Sequence, residues 1–174
     1  MKNFLISLIL IFNLSNLNIV NAENKITYLD LDKVLLESLA GKSINDKIIK
    51  MQKTNFNKFK EDEKKFVENE KLILSQKNVL EKIQYEKKVL SFKKDIDTYN
   101  LNKSKLIKAV NSKRLKATSK LLEVLNPLLA NYSSEKSIGM IIQKKNIIIG
   151  KSELDITEDI INLLNEKIKK IDLK

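Results

Sequence analysis

The clearest pattern in the chain is a set of apolar positions that recur at alternating steps of four and three over residues 85–117. The ten positions are Tyr85, Val89, Phe92, Ile96, Tyr99, Lys103, Leu106, Val110, Lys113 and Ala117. Eight of the ten are apolar, and the residues between them are mostly Lys, Asp, Asn and Ser. A seven-residue repeat of this length predicts a helix that packs sideways against another helix, not around a compact core.

A second, sparser helical pattern precedes the first, from Lys42 to about Leu74. Its apolar positions are Ile44, Ile48, Met51, Phe56, Phe59, Phe66 and Ile73. We expect the chain to turn at residues 75–78 and to return as a helix from about residue 80 to Tyr132. Pro127 removes one backbone hydrogen bond, so an interruption with a kink is expected there. Residues 42–133 are therefore predicted to form a long helical hairpin, called the arm below.

The segments on either side of the arm predict a small body. Residues 26–31 are apolar and β-branched, which is typical of a strand. A short helix is expected from Lys33 to Leu39, with Asp30 and Asp32 near its start and Gly41 as a helix stop.

After the arm, residues 138–143 and 147–149 predict two strands joined by residues 144–146 as a β-hairpin, and residues 157–171 predict a final amphipathic helix. The fold class is therefore α+β, mostly α, with the body divided between residues 23–41 and 134–174.

The predicted body is too small to be complete in one chain. Three short strands leave apolar faces and open edges exposed, and copies of the chain could combine them into one closed sheet. We therefore predict an obligate homo-oligomer, with a trimer preferred to a dimer. The candidate oligomer residues are Ile26, Tyr28, Leu29, Leu31, Ile138, Met140, Ile142, Ile147 and Ile149.

Residues 1–22 have the pattern of a signal peptide. Lys2 precedes an apolar run from Phe4 to Phe12, and Val20-Asn21-Ala22 fits a signal-peptidase site. An uncleaved anchor is the alternative, but several Asn and Ser residues break the run before it reaches the roughly 20 residues of a membrane span. A cleaved, cysteine-free chain suits the bacterial periplasm.

Composition narrows the possible chemistry. The chain has no Cys, His or Trp and a single arginine, Arg114. An ordinary metal site and a thiol nucleophile are therefore excluded, and no glycine-rich phosphate loop is present. We predict no cofactor and no enzymatic activity.

Positive charge is concentrated in the arm. The chain has a net charge of +11, and residues 42–133 hold 22 basic residues against 11 acidic ones. Residues 98–122 contain no acid and seven bases. A field of this sign attracts acidic partners and accelerates their encounter with the arm.

Motifs at both ends resemble the Skp/OmpH family of periplasmic chaperones. The first runs from Tyr28 to Ser38, followed by Gly41-Lys42; the others are Leu125-Asn126-Pro127, residues 144–150 and residues 154–157. This resemblance implies a jellyfish-shaped trimer, in which a β-barrel body carries helical arms around a cavity. It also implies ATP-independent holding of unfolded outer-membrane proteins and contact with anionic lipid surfaces.

Two sets of arm residues are candidates for client binding. The aromatic set could contact an unfolded client, or could simply form the seam between the two helices; the basic set could attract the client, or could be an ordinary solvated face. The sets are Phe56, Phe59, Phe66, Phe92 and Tyr99, and Lys103, Lys105, Lys108 and Lys116.

Two rival functions remain open. The basic pI near 9.6 would suit a binder of nucleic acid or another anionic polymer, but the signal peptide and the absence of a nucleic-acid motif argue against nucleic acid as a physiological partner. A structural coiled-coil adaptor of the envelope is the second rival, although the outgoing helix pattern is irregular for that role.

Overall fold

The computed structural model describes residues 25–173. The elements, in chain order, are β1 (Lys25–Leu29), α1 (Leu31–Glu37), α2 (Leu39–Ser75), α3 (Lys82–Glu135), β2 (Ile138–Gln143) and α4 (Thr157–Lys167), with single 3-10 turns at Lys144–Asn146 and Ser152–Leu154. The fold is mostly helical with one small sheet, as the sequence predicts. The predicted signal peptide lies outside the described residues.

The arm is an antiparallel hairpin of α2 and α3, which have 37 and 54 residues. At about 1.5 Å per residue, α2 alone is about 55 Å long. The chain turns back at residues 76–81, close to the predicted tip. The end of α3 reaches Glu135 without a break, so the predicted interruption at Pro127 is wrong: this proline is accommodated inside the helix.

The seam between the two helices follows the predicted repeat. Between residues 85 and 117, only the ten positions of the repeat are buried or half-buried, and every other residue is exposed. On α2, the matching apolar positions are also covered, with the exception of Phe56, which is exposed. The repeat therefore specifies which side of α3 faces α2.

The base of the arm is packed into a single apolar core. Leu121 and Leu125 of α3 lie fully buried with Ile48 of α2, and Ile160 and Leu164 of α4 complete the cluster. This core fixes one end of the hairpin, whereas the distal part of the arm is covered only along its seam.

The junction of α1 and α2 corrects the predicted helix stop. Asp30 caps α1 as expected, because its side chain accepts a hydrogen bond from the backbone N–H of Lys33 at 2.9 Å. However, α1 ends at Glu37, and Gly41 lies inside the first turn of α2, which Ser38 caps. A Cβ atom at Gly41 would lie 1.9 Å from the carbonyl oxygen of Leu35. The glycine is therefore needed for close packing of two helices, not to end one.

The sheet corrects the predicted β-hairpin. β1 and β2 pair in parallel, with Ile26 beside Met140 and Tyr28 beside Ile142. Residues 147–149 form no strand with β2 in the described chain. The residues that follow them lie against Tyr28: a Cβ atom at Gly150 would be 2.7 Å from its ring, and its hydroxyl donates a 3.0 Å hydrogen bond to the carbonyl of Lys151. β1 occupies the place beside β2 because the whole arm serves as the crossover between two parallel strands.

The final helix is shorter than predicted. α4 ends at Lys167, and the remaining described residues, 168–173, continue without helical structure. Asp155 prepares the start of α4, because its Oδ1 accepts a 3.0 Å hydrogen bond from the backbone N–H of Thr157.

Candidate functional site

Four of the five candidate aromatic residues meet in the seam of the arm. Phe66 of α2 lies edge-on to two rings of α3, with centroid distances of 6.0 Å to Phe92 and 5.2 Å to Tyr99. Phe59 makes the same kind of contact with Tyr99 at 6.2 Å. Edge-to-face pairs in this range are mutually stabilising. The geometry therefore matches the seam interpretation of these four side chains.

Lys103 differs from the other candidate lysines because it is paired across the seam. Its Nζ and the hydroxyl of Tyr99 each donate a 2.7 Å hydrogen bond to Oε1 of Glu63. The Nζ also lies 5.3 Å from the ring centroid of Phe59. The Lys103 hydrogen bond, supported by that of Tyr99, lowers the pKa of Glu63 and correspondingly raises the pKa of Lys103. The charge of Lys103 is thus largely offset within the arm.

Lys105, Lys108 and Lys116 are exposed on α3. Within the part of the chain that the structure describes, none of them has a carboxylate within 4.0 Å. These three lysines therefore keep their charge directed at solvent, which is expected both for attraction of a client and for an ordinary solvated face.

Phe56 is the one candidate aromatic residue that faces solvent, with 65% of its surface exposed. It borders a groove of about 360 Å³ between the two helices of the arm. The apolar part of the groove is formed by Phe56 and Phe59 on one side and Ile107 and Val110 on the other. The groove is open to solvent and could receive one apolar side chain from another molecule.

Phe56 also belongs to a stripe of exposed apolar residues that the sequence analysis missed. Ile49, Phe56, Val67 and Leu74 are each more than half exposed, and their spacings are 7, 11 and 7 residues. At about 100° per residue, these steps rotate the side chain by only about 20°, so all four lie on one side of α2. We call these four residues the apolar stripe.

Lysines are interleaved with the apolar stripe in a regular way. Lys53, Lys60 and Lys71 each follow a stripe residue by four positions, and all three are exposed. Residues four apart are neighbours on a helix surface. One side of α2 therefore alternates apolar and basic side chains over about 38 Å. In the sequence, the signal for this stripe is the spacing of 7 and 11 residues between its apolar positions.

The candidate oligomer residues divide into two groups. Several are covered by their own chain: Tyr28, Leu29 and Ile138 are buried, and Leu31, Ile142 and Ile147 are half-buried. Others are open to solvent, because Ile26 and Met140 are more than half exposed beside each other on the sheet and Ile149 is 92% exposed.

Ile148, which the sequence analysis did not select, is fully exposed. The exposed residues Ile26, Met140, Ile148 and Ile149 form what we call the body patch.

Neither a metal-binding cluster nor a membrane-spanning helix is found among residues 25–173. No group of three or more His, Cys, Asp or Glu side chains there could hold a metal ion. None of the helices in the same range is both long and apolar enough to cross a membrane.

Comparison with known proteins identifies relatives of this fold. The family described as outer membrane protein (OmpH-like) matches residues 25–164. No curated protein matches the sequence. The chain is similar in structure to a candidate outer membrane chaperone (OmpH-like) from Caulobacter crescentus CB15, with a TM-score of 0.78 and 14% identity over 84% of this chain and 87% of that one.

Proposed function

The chain belongs to the OmpH-like family, and from this premise we propose that it is an ATP-independent holding chaperone of the periplasm. It binds unfolded outer-membrane proteins along its helical arm and prevents their aggregation. Binding requires no chemical step, so no cofactor and no catalytic residue are involved.

The observation that carries this proposal is the apolar stripe with its interleaved lysines. Unfolded chains expose apolar side chains that a folded protein would bury, and many weak contacts along a surface of about 38 Å suit such a ligand better than one deep pocket. The groove beside Phe56 adds a local anchor for a single side chain. The stripe projects from an arm whose own seam is already satisfied, so it remains available for a client.

The exposed lysines of the arm contribute attraction at longer range. Lys105, Lys108 and Lys116 lie in a segment without acids, and outer-membrane proteins with acidic stretches would be drawn to them. Replacement of the three by Glu should weaken client capture and reduce its dependence on salt. Lys103→Glu is a poor addition to this set because it would also break the contact with Glu63.

A homotrimer is the proposed assembly. The two-stranded sheet leaves the body patch exposed, and a monomer would gain by covering it with neighbouring copies. Three arms on one closed body would surround a client from several sides. The basic arms would also bring the protein close to anionic lipid surfaces.

The rival function of a coiled-coil adaptor has weaker support. An adaptor needs a free apolar seam for a fixed partner helix, whereas the seam here is occupied by the two helices of one hairpin.

The test of the proposed function is suppression of aggregation. A urea-denatured outer-membrane β-barrel protein is diluted into buffer with or without the mature chain, and light scattering is followed. A holding chaperone keeps the β-barrel protein soluble at a near-stoichiometric ratio without ATP. Unchanged scattering at a severalfold excess of the chain would refute the proposal.

A further inference from the structure

The described chain does not end at its last helix. After α4, residues 168–173 extend along the base of the arm, and we call this segment the tail. Ile171 of the tail is 5% exposed and belongs to the core, and Ile168 and Leu173 pack against it half-buried. Three aliphatic side chains thus anchor an otherwise extended segment.

Both helices of the arm hold the tail through its backbone. Lys47 of α2 donates a 3.0 Å hydrogen bond to the carbonyl of Ile171, and Lys113 of α3 donates one of 2.9 Å to the carbonyl of Leu173. Hydrogen bonds from charged donors are stronger than neutral ones. Lys47 also lies 3.5 Å from Oδ1 of Asp172, so an acidic residue adds to the binding, but the two carbonyl contacts are available from any peptide.

The site around the tail is continuous with the basic part of the arm. A cavity of about 330 Å³ lies beside Leu173, and its lining includes Ala117, Lys116 and Lys120. A longer segment than the tail could therefore continue along α3 past Lys116, one of the candidate client-binding lysines.

We infer that the tail occupies a peptide-binding groove at the base of the arm, and that an extended aliphatic segment of an unfolded client displaces it. The groove offers what such a segment needs: aliphatic contacts, two cationic donors for backbone carbonyls and an open end. Displacement removes one contact that bridges α2 and α3, whereas the core of Ile48, Leu121 and Leu125 still joins the two helices. The match to the OmpH-like family ends at residue 164, so the tail lies outside the part that defines the family.

This inference rests on the proposed function for the identity of the ligand, and the first experiment measures affinity for a client. The full chain with Ile171→Ala and Leu173→Ala, which weakens the tail but leaves Lys47 and Lys113 in the groove, is compared with the full chain carrying Ile83→Ala and Leu90→Ala, which removes the same side chains from exposed positions of α3. The probe is a urea-denatured, fluorescently labelled outer-membrane β-barrel protein.

We expect the first variant to bind about tenfold more tightly than the control, because a groove that is more often open costs less to occupy. Equal or weaker binding by the first variant would overturn the inference.

A second experiment tests the groove without relying on a client. A chain that ends at Lys167 is checked for helical content by circular dichroism and mixed with a labelled peptide of residues 167–174. The shortened chain should bind the peptide, the full chain should bind it at least about tenfold more weakly, and the denatured β-barrel protein should compete it off.

Each outcome of this experiment decides one claim. Failure of a folded, shortened chain to bind the peptide would refute the groove, and binding without competition would refute displacement. If the shortened chain does not fold, peptide binding to the folded full-length Ile171→Ala, Leu173→Ala variant replaces this arm of the test. If the full chain binds the denatured β-barrel protein poorly when no peptide is present and does not suppress its aggregation, the proposed function is refuted. The groove itself is decided separately, by binding of the peptide to the shortened chain.

Discussion

Two phenylalanines on the same helix should respond in opposite ways to replacement by alanine. Phe66 is half-buried in the seam against Phe92 and Tyr99, whereas Phe56 belongs to the apolar stripe and faces solvent. They lie ten residues apart on α2, and replacement by alanine removes the same atoms from both. Phe66→Ala should therefore damage the arm, and Phe56→Ala should damage client binding.

The expected magnitudes follow from burial. Truncation of a fully buried Phe costs about 3–5 kcal/mol, and Phe66 is only partly covered but loses two aromatic contacts. We expect Phe66→Ala to lower the free energy of unfolding by about 2 kcal/mol. Phe56 is 65% exposed, so Phe56→Ala should change the free energy of unfolding by about 0.5 kcal/mol or less.

Urea unfolding followed by circular dichroism distinguishes the two effects. With a urea dependence of about 2 kcal/mol per molar, Phe66→Ala should move the midpoint down by about 1 M. Protein concentration must be held constant, because the stability of an oligomer depends on it. Aggregation suppression, measured at a temperature where both variants are folded, should be weakened severalfold by Phe56→Ala and little affected by Phe66→Ala.

The opposite pattern of effects would refute the roles assigned to Phe56 and Phe66. If Phe56→Ala lowers the urea midpoint as much as Phe66→Ala, then Phe56 is covered in the working protein and cannot be a free contact for client. If Phe66→Ala alone reduces aggregation suppression while the protein remains folded, the seam aromatics bind client and the apolar stripe does not.

Further predictions concern the helix junction, the seam and the body. Gly41→Ala should destabilise the chain by about 2–3 kcal/mol in urea unfolding, although alanine is the better helix former, because the added Cβ meets the carbonyl of Leu35; an increase in stability would contradict this packing. The pKa of Glu63 is lowered in the folded arm by Lys103, so this pair stabilises the fold at neutral pH and the stabilisation is lost as pH falls from 4.5 through the lowered pKa. The melting temperature should therefore fall less between pH 7 and a pH below 4 for Glu63→Gln than for the natural chain, and an equal fall in both proteins would contradict this prediction. Ile149→Asp should shift the sedimenting species toward the monomer while the helical content is kept, and an unchanged oligomer would exclude the body patch as the interface.

The parts of the fold that the sequence predicts well are those governed by a local, repeated pattern. The seam of α3 follows from its heptad repeat, because each covered position is covered for the same reason. The turn between the two helices lies at residues 76–81, in the gap between the apolar pattern of α2 and that of α3. Asp30 is recognised as a cap because capping involves only the next few residues.

The errors occur where packing between two elements overrides the structure that the local sequence favours. Glycine usually marks the end of a helix, but at Gly41 the backbone of α1 comes so close that no other residue fits inside α2. Residues 147–149 have the composition of a strand, yet β2 pairs with β1, which precedes the whole arm in the sequence.

The apolar stripe was not predicted, for a different reason. Aromatic residues and clusters of lysine stand out in the sequence, whereas the apolar stripe consists of Ile49, Val67 and Leu74 as well as Phe56, separated by charged residues. No window of the sequence is rich in these side chains, and only the rotation of the helix brings them to one side.

Site-specific photo-crosslinking tests the central claim most directly. A benzoylphenylalanine is placed at position 56 or 67 on the apolar stripe, and for comparison at position 90, where Leu90 is also apolar and exposed but lies on α3. After addition of a denatured outer-membrane β-barrel protein and irradiation, we predict strong crosslinks to the client from positions 56 and 67 and weak ones from position 90. Equal crosslinking from all three positions, or crosslinking from position 90 alone, would contradict the account.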